Sequence, residues 1–304
     1  MGTIGMITKG RMKGVFPMHD SVCVLYNPKA GNGHGEEAVH KLDTALSECR
    51  LRYQDITSVD DYFDFFHAMA PGEHLLVAGG DGTLNRFVND TEGIRGDLPV
   101  WYYPTGSGND FWKDIGQQPG VMPVEITHYL SHLPVVRVNG QSRLFLNGIG
   151  YGIDGYCCEV GDRLRESTSK PINYAGIAVK GLLFHYHPTA AAITVDGKTS
   201  VYRKVWLAPT MYGRYYGGGM MPTPKQNRDS KERTVSCMIM HDSGKMKTLS
   251  VFPSIFKGEH INHDHMVTIL EGHQISVCFD QPASLQIDGE TVRNVLEYSV
   301  SIPS

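Results

Sequence analysis

The sequence predicts an α/β domain built on a doubly wound parallel sheet, followed by a second, sandwich-like domain rich in antiparallel strands. Three observations predict it. Through residues 21–115, short apolar runs alternate with segments of helical periodicity. Glycine-rich loops follow the first, third and fourth of those runs, at the carboxyl ends of strands, where parallel sheets bind ligands. Beyond about Val121 strand-like segments dominate.

In order, strands are expected at 21–26, 51–56, 74–78 and 99–103. Helices are expected between and after them, at 36–49, 59–69, 83–89 and from 111 onward. In the first helix Ala38, Val39, Leu42, Ala45 and Leu46 recur at helical spacing, with Glu36 and Glu37 in the first turn. In the second domain strands are expected at 133–138, 142–149, 190–195, 198–208, 234–241, 266–271, 274–279, 284–287 and 292–302, with helical segments near 155–166 and 246–256. Val195-Asp196-Gly197-Lys198 is a two-residue hairpin turn. Pro119, Gly120 and Pro123 mark a boundary, so the expected division is 1–20, 21–125 and 126–304. The first of these, with Lys9, Arg11 and Lys13 but no apolar core, does not read as a signal peptide. It is read as a disordered extension or a misassigned start.

A length of 304 residues suits two domains, and 41% hydrophobic with 20% charged residues is ordinary for a globular protein. A net charge of −4 argues against a nucleic-acid binder. No apolar run reaches membrane-span length, so a cytoplasmic protein with at most peripheral contact at the inner membrane face is expected. The six cysteines form no Cys-x-x-Cys pair and read as free thiols. His260, His263 and His265 match no zinc spacing and read as a solvated loop.

Leu75-Leu76-Val77-Ala78 leads into Gly79-Gly80-Asp81-Gly82-Thr83-Leu84-Asn85, where the helix expected over 83–89 starts. Glycines allow a sharp turn and close approach, and the first helical amides lack intrahelical partners, so the stretch reads as a phosphate-binding loop. Asp81 repels phosphate, and makes sense there with a cation between, Mg²⁺ being the usual one. The rival account is that Asp81 and Thr83 only cap the following helix. Neither a P-loop nor a dinucleotide fingerprint is present. Asn27-Pro28-Lys29-Ala30-Gly31-Asn32-Gly33-His34-Gly35 and Pro104-Thr105-Gly106-Ser107-Gly108-Asn109-Asp110 are the two companion loops. Asp288-Gly289 is a hairpin turn, which leaves Glu290 unexplained; a carboxylate held on a rigid hairpin can act as general base toward a hydroxyl.

With Asn27-Pro28, Gly79–Thr83, Pro104-x-Gly106-Ser107-x-Asn109-Asp110-Phe111 and Asp288-Gly289-Glu290 in this order, the chain resembles the diacylglycerol kinase catalytic-domain family, in particular its soluble bacterial lipid kinases, over about residues 21–302. The resemblance implies a phosphofructokinase-like α/β domain, a β-sandwich domain, and nucleotide and acceptor sites in the cleft between them. It implies an ATP-dependent lipid kinase acting on diacylglycerol or a related lipid presented at a membrane, with ATP as co-substrate and Mg²⁺ as cofactor. ATP would be held by Asn27, Thr57, Gly79, Gly80, Asp81, Gly82, Thr83, Leu84, Asn85, Gly106, Ser107, Asn109 and Asp110. Glu290 matches the family's proton acceptor, with Asp288 and Asp81 beside it in the expected catalytic set. A structural Mg²⁺ site is implied near Asp229, although here Lys225-Gln-Asn-Arg-Asp229-Ser230-Lys231 lacks the glycine that usually follows the aspartate. Lys29, Arg214 and Lys225 are candidate phosphate-side charges. The aromatic, methionine-rich 212–222 reads as a lipid edge or a packed turn. Two alternatives stay open: an NAD kinase-like enzyme, and a catalytically silent lipid- or nucleotide-binding protein. Homodimer formation is also left open.

Overall fold

The structure is a computed structural model that describes residue 16 and residues 20–117, 122–167 and 172–303. Its first sheet has the order β2-β1-β3-β4-β5, formed by β1 (Ser21–Tyr26), β2 (Arg50–Asp55), β3 (His74–Gly79), β4 (Val100–Pro104) and β5 (Val124–Glu125). The first four strands are parallel, and the two-residue β5 runs antiparallel to β4. The near-continuous apolar β1, β3 and β4 are buried because helices cover a parallel sheet on both faces. The order in which strands are added reverses between β1 and β3, which makes the carboxyl ends of those two parallel strands the switch-point crevice.

Three short helical turns, α1 (Ala30–Gly33), α2 (Gly35–Val39) and α3 (Leu42–Ala45), replace the single helix expected over 36–49. Val39, Leu42 and Leu46 are buried as the periodicity implies. The break falls where His40 turns to Asp43 at 3.0 Å and packs on Tyr53. Asp61 caps α4 (Tyr62–His67) by accepting from the Phe63 and Asp64 amides. Two further helices, α5 (Asp81–Asp90) and α6 (Asp110–Asp114), start directly from the loops after β3 and β4.

The second sheet has ten strands in antiparallel pairings. They are β6 (Val135–Val138), β7 (Gln141–Leu144), β8 (Gly148–Tyr151), β9 (Thr189–Val195), β10 (Lys198–Val205), β11 (Thr210–Met211), β12 (Val235–Met240), β13 (Val267–Gly272), β14 (Gln274–Ile287) and β15 (Glu290–Ser301). The two strands expected at 274–279 and 284–287 are one strand, bent by a bulge between Cys278 and Leu285. The strand expected over 142–149 is divided instead. The amides of Leu146, Asn147 and Gly148 all point at the Asp288 carboxylate, so they are not free to pair with a neighbouring strand. Outside the sheet lie α7 (Ile153–Ser167), α8 (Tyr174–Lys180) and α9 (Lys245–Val251). The helical stretch at α8 was not expected from the sequence.

One apolar cluster runs from Leu25, Val77 and Phe111 of the first sheet region through Tyr129, Leu130 and Leu133 to Val136, Ile149 and Leu285 of the second. Phe16, within the stretch read as a leading extension, is 6% exposed and lies edge-on to Trp101, with ring centroids 4.7 Å apart. Apart from Phe16 and Asp20, that stretch lies outside the described residues, as do Pro119 and Gly120. None of the six cysteines forms a disulfide. No helix among the described residues is long and apolar enough to cross a membrane.

Candidate active site

The three glycine-rich loops meet. The Asn27 amide donates to Ala78 O at 3.1 Å and the Thr105 amide to Gly79 O at 2.9 Å, so each loop is tied to the end of β3. A Cβ on Gly106 would stand 2.5 Å from Gly80 Cα, and one on Gly31 would stand 2.7 Å from Thr105 O. The glycines at 31, 80 and 106 therefore let the loops pack on one another, a use of glycine beyond approach to an anion. Gly79 is restricted in the same way by the Thr83 side chain at 2.5 Å, whereas Gly82 faces open space.

Asn27 bridges the switch point: its Nδ2 donates to Thr83 Oγ1 at 2.8 Å while its Oδ1 accepts from the Lys29 amide at 2.9 Å. Thr57 stands exposed just past β2, in a turn where its amide and hydroxyl both donate to Asp55 at 2.8 Å. Ser107 is exposed at the tip of its loop. Asn109 adopts a left-handed conformation (φ 49°) and donates to Gly106 O at 2.8 Å, which closes the loop. Leu84 is fully buried in the core, so only its backbone is available to a ligand.

Asp81 caps a helix, but not its own. Its Oδ2 accepts from the Asp110 amide at 2.9 Å and its Oδ1 from the Phe111 amide at 2.8 Å, so it caps α6 and ties the β3 loop to the β4 loop. Asp110 is 4% exposed, accepts from the Gly218 amide at 2.8 Å, and has a buried Oδ1 with no partner. Burial, with the neighbouring charge of Asp81, pushes its pKa up to about 7. A buried carboxylate oxygen without a donor, beside a second carboxylate, suits a divalent cation with oxygen ligands. On this observation the residues at the loop junction fit Mg²⁺.

The stretch around Asp229 does not fit one. Asp229 is exposed, 3.9 Å from His128 Nε2, and the Asn227 side chain already accepts from its amide at 3.0 Å. Among the described residues no three His, Cys, Asp or Glu side chains come together as a metal site, the 260–265 histidines included. His260 is buried, and its Nε2 bonds Pro222 O at 2.8 Å.

Asp288 and Asn85 do something else again. Asp288 accepts from the amides of Leu146 (2.5 Å), Asn147 (2.9 Å) and Gly148 (3.0 Å) and from Asn85 Nδ2 (2.7 Å). Burial raises the Asp288 pKa against the pull of those three amides, and four donors on two oxygens suit the carboxylate. Asn85 lies in the second turn of α5, so this bond latches the β14–β15 hairpin onto the helix that starts at the phosphate loop. Left-handed Asp288 (φ 45°) and Gly289 (φ 93°) form the two-residue turn. Glu290 follows it on the exposed side, its Oε2 accepting from Arg143 Nη2 at 2.5 Å.

A second polar chain, which no local sequence pattern marks, crosses the junction. Asp114, buried on α6, accepts from Arg214 Nε at 2.8 Å and from Arg228 Nε. Burial raises the Asp114 carboxyl, but the two guanidinium groups outweigh it and hold it below its ordinary value. Arg228 also donates to Asn147 Oδ1 at 3.2 Å, and Asn147 Nδ2 donates to Asp81 Oδ1 at 3.2 Å. Arg214 is thus a junction residue. Lys225 lies beside Thr223, Gln226 and Glu271 in a separate cavity on the outer strands. The 212–222 segment is a packed turn: Tyr212 and Tyr216 are buried, and the Tyr216 hydroxyl donates to the buried Asp154.

Two family models match this arrangement: the diacylglycerol kinase catalytic domain over residues 21–134, and the YegS C-terminal NAD kinase beta sandwich-like domain over residues 147–303. The chain belongs to the diacylglycerol kinase catalytic-domain family. Among relatives of this lipid-kinase family, a diacylglycerol kinase of Mycobacterium tuberculosis is 25% identical over 261 residues, covering 81% of this chain and 82% of that protein. Proteins of Staphylococcus aureus bearing lipid-kinase names are 26% identical over 286 residues, 88% of this chain and 89% of theirs. A crystal structure of a diacylglycerol kinase from Bacillus anthracis superposes with a TM-score of 0.57 at 19% identity, covering 93% of each chain. A second structure from that organism gives 0.63 at 20%, over 93% of this chain and 92% of that one. These likenesses bear on the fold, an N-terminal parallel-sheet α/β domain joined to an antiparallel, sandwich-like one. Family membership makes the chain a phosphotransferase of the lipid kinase type.

Proposed function

We propose that the protein transfers the γ-phosphate of ATP to a hydroxyl of diacylglycerol or a related lipid. One observation carries this reading: the Asp288–Asn85 bond ties the hairpin bearing Glu290 to the helix that begins at the phosphate loop. At a rise of about 1.5 Å per residue, Asn85 lies only about 6 Å along α5 from Asp81. Phosphate loop and candidate base therefore belong to one cleft.

Phosphoryl transfer asks mainly for alignment and charge neutralisation. In this reading the free amides at the start of α5 and the open face at Gly82 receive phosphate oxygens, with Asn27 and Thr83 fixing the loop beneath them. Asp81 and Asp110 are the residues that would hold Mg²⁺, which would supply charge neutralisation on the polyphosphate. Glu290 takes the acceptor's proton, and Arg143 holds the carboxylate in place until substrate arrives.

The lipid part has its own support. Residues 172–189 and 243–258 contain no Asp or Glu but carry Lys180, Lys245, Lys247 and Lys257. The two segments touch, Lys245 Nζ donating to Leu183 O at 3.2 Å, and they expose Phe184 (69%) and Met246 (72%). In a chain of net charge −4, a basic, apolar face of this kind suits an anionic lipid surface. It adjoins the cleft, because the Met221 amide donates to Ile255 O at 3.0 Å and Gly218 of the same loop reaches Asp110. Incubating the purified protein with γ-labelled ATP and a total lipid extract, or with NAD, tests the reading. Label in a lipid supports it; label in NAD alone overturns it.

A further inference from the structure

The stretch assigned by family resemblance to a structural metal holds, one residue before the exposed Asp229, a cation that belongs to the chain itself. The Arg228 side chain is 2% exposed and points inward. Its guanidinium lies 4.8 Å from the Phe111 ring and 5.6 Å from the Tyr212 ring, pairs with the equally buried Asp114, and donates to Asn147 Oδ1. Phe111 and Asp114 belong to the first sheet region, and Tyr212 and Asn147 to the second. One side chain thus contacts both sides of the junction.

We propose that Arg228 does the work of a junction metal in this protein and, through Asn147, positions Asp81. Four features of the site support this. Guanidinium stays charged even when buried, and its planar fork can face a carboxylate and an amide together while stacking on rings. Asp114 is buried, and Arg228 and Arg214 are the charges that hold it ionised. The Asn147 amide has one oxygen and one nitrogen end; with the oxygen on Arg228, the nitrogen must face Asp81. Asp81 in turn holds the start of α6. The charge on Arg228 therefore decides how Asn147 presents itself to the phosphate loop, which makes Arg228 a positioning residue.

The catalytic part of this inference rests on the kinase reading; the metal-independent junction does not. The test uses the full chain in two measurements. Thermal unfolding without nucleotide is followed in EDTA and in excess Mg²⁺ in an Asp110→Asn background, which removes the loop-junction carboxylate that would itself respond to Mg²⁺. With Arg228 in place this protein is expected to melt at the same temperature in both, and with Arg228→Met added to melt lower in both. A melting temperature of Asp110→Asn that falls in EDTA and returns with Mg²⁺ overturns the proposal. Steady-state kinetics with saturating Mg-ATP is the second measurement. Arg228→Lys keeps a charge beside Asp114 but cannot also fork to Asn147, so it should recover most of the melting temperature. Its kcat should still fall on the order of 100-fold, the scale of a misplaced reacting group. If Arg228→Met does not fold, Asn147→Leu cuts the relay without stranding a buried charge and should lower kcat likewise. Full kcat in both Arg228→Lys and Asn147→Leu removes the positioning role. A wild type that turns over no substrate would indict the kinase reading while leaving the melting comparison intact.

Discussion

Replacing Asp110 by Asn should stabilise the protein, and by an amount that depends on pH in a defined way. Burial and the charge of Asp81 raise the folded-state pKa to about 7, against about 4 for an aspartate in the unfolded chain. For an acid raised in this way, the fold prefers the protonated form. The cost of ionisation is therefore absent below about pH 4, grows between about 4 and 7, and is constant above that. At about 1.4 kcal/mol for each tenfold step, about three steps give an upper bound of about 4 kcal/mol at pH 8 and less than about 1 kcal/mol at pH 4. Asparagine carries no charge and can still accept from Gly218, so the variant should gain most of that difference. Urea unfolding of both proteins at pH 4.5 and pH 8, without Mg²⁺, measures it. A gain that is the same at both pH values would refute the reasoning, since it would show that no buried charge is relieved. In the kinase reading the same variant loses turnover, because the orphaned oxygen is the one offered to the cation.

Three other substitutions test the cleft. Asp288→Asn turns an NH₂ toward donors that now share a carboxylate, and should cost about 3–5 kcal/mol in thermal or urea unfolding. Gly106→Ala places a Cβ 2.5 Å from the backbone of Gly80; the loops must part, at about 1–3 kcal/mol, and ATP affinity measured by calorimetry should fall with stability. Phe184→Ser with Met246→Ser removes exposed apolar surface only. It should weaken co-sedimentation with anionic vesicles while leaving the melting temperature and activity on detergent-dispersed lipid unchanged.

Much of the first sheet was legible because strand, glycine turn and helix start are local signals, and parallel-sheet logic then gathers the loops at one edge. The convergence of Asn27, Gly79–Thr83 and Ser107 follows from that logic. The partnerships within the cleft were not legible. Asp81 caps α6 rather than its own helix, because the chain returns to it 29 residues later. Asp114 meets Arg214 and Arg228 from across the junction, and no local pattern marks such a pair. The Asp-Gly hairpin turn also hid a structural role: Asp288 is spent on three amides and Asn85, which leaves Glu290 as the exposed carboxylate of the hairpin. The division between β7 and β8 has the same cause, since the Leu146 and Asn147 amides serve Asp288 and not a neighbouring strand. In the 212–222 segment, aromatic composition alone did not separate a lipid edge from a packed turn; the buried Tyr216–Asp154 contact does.

The claim that phosphate loop and acceptor base are two halves of one kinase cleft is tested most directly with Glu290→Gln. ATP binding by calorimetry and phosphate transfer to lipid from labelled ATP are measured on the same preparation. The cleft described above predicts unchanged ATP affinity and a loss of turnover of about 10²–10⁴-fold, the usual contribution of a general base. Undiminished transfer to lipid by Glu290→Gln would contradict it.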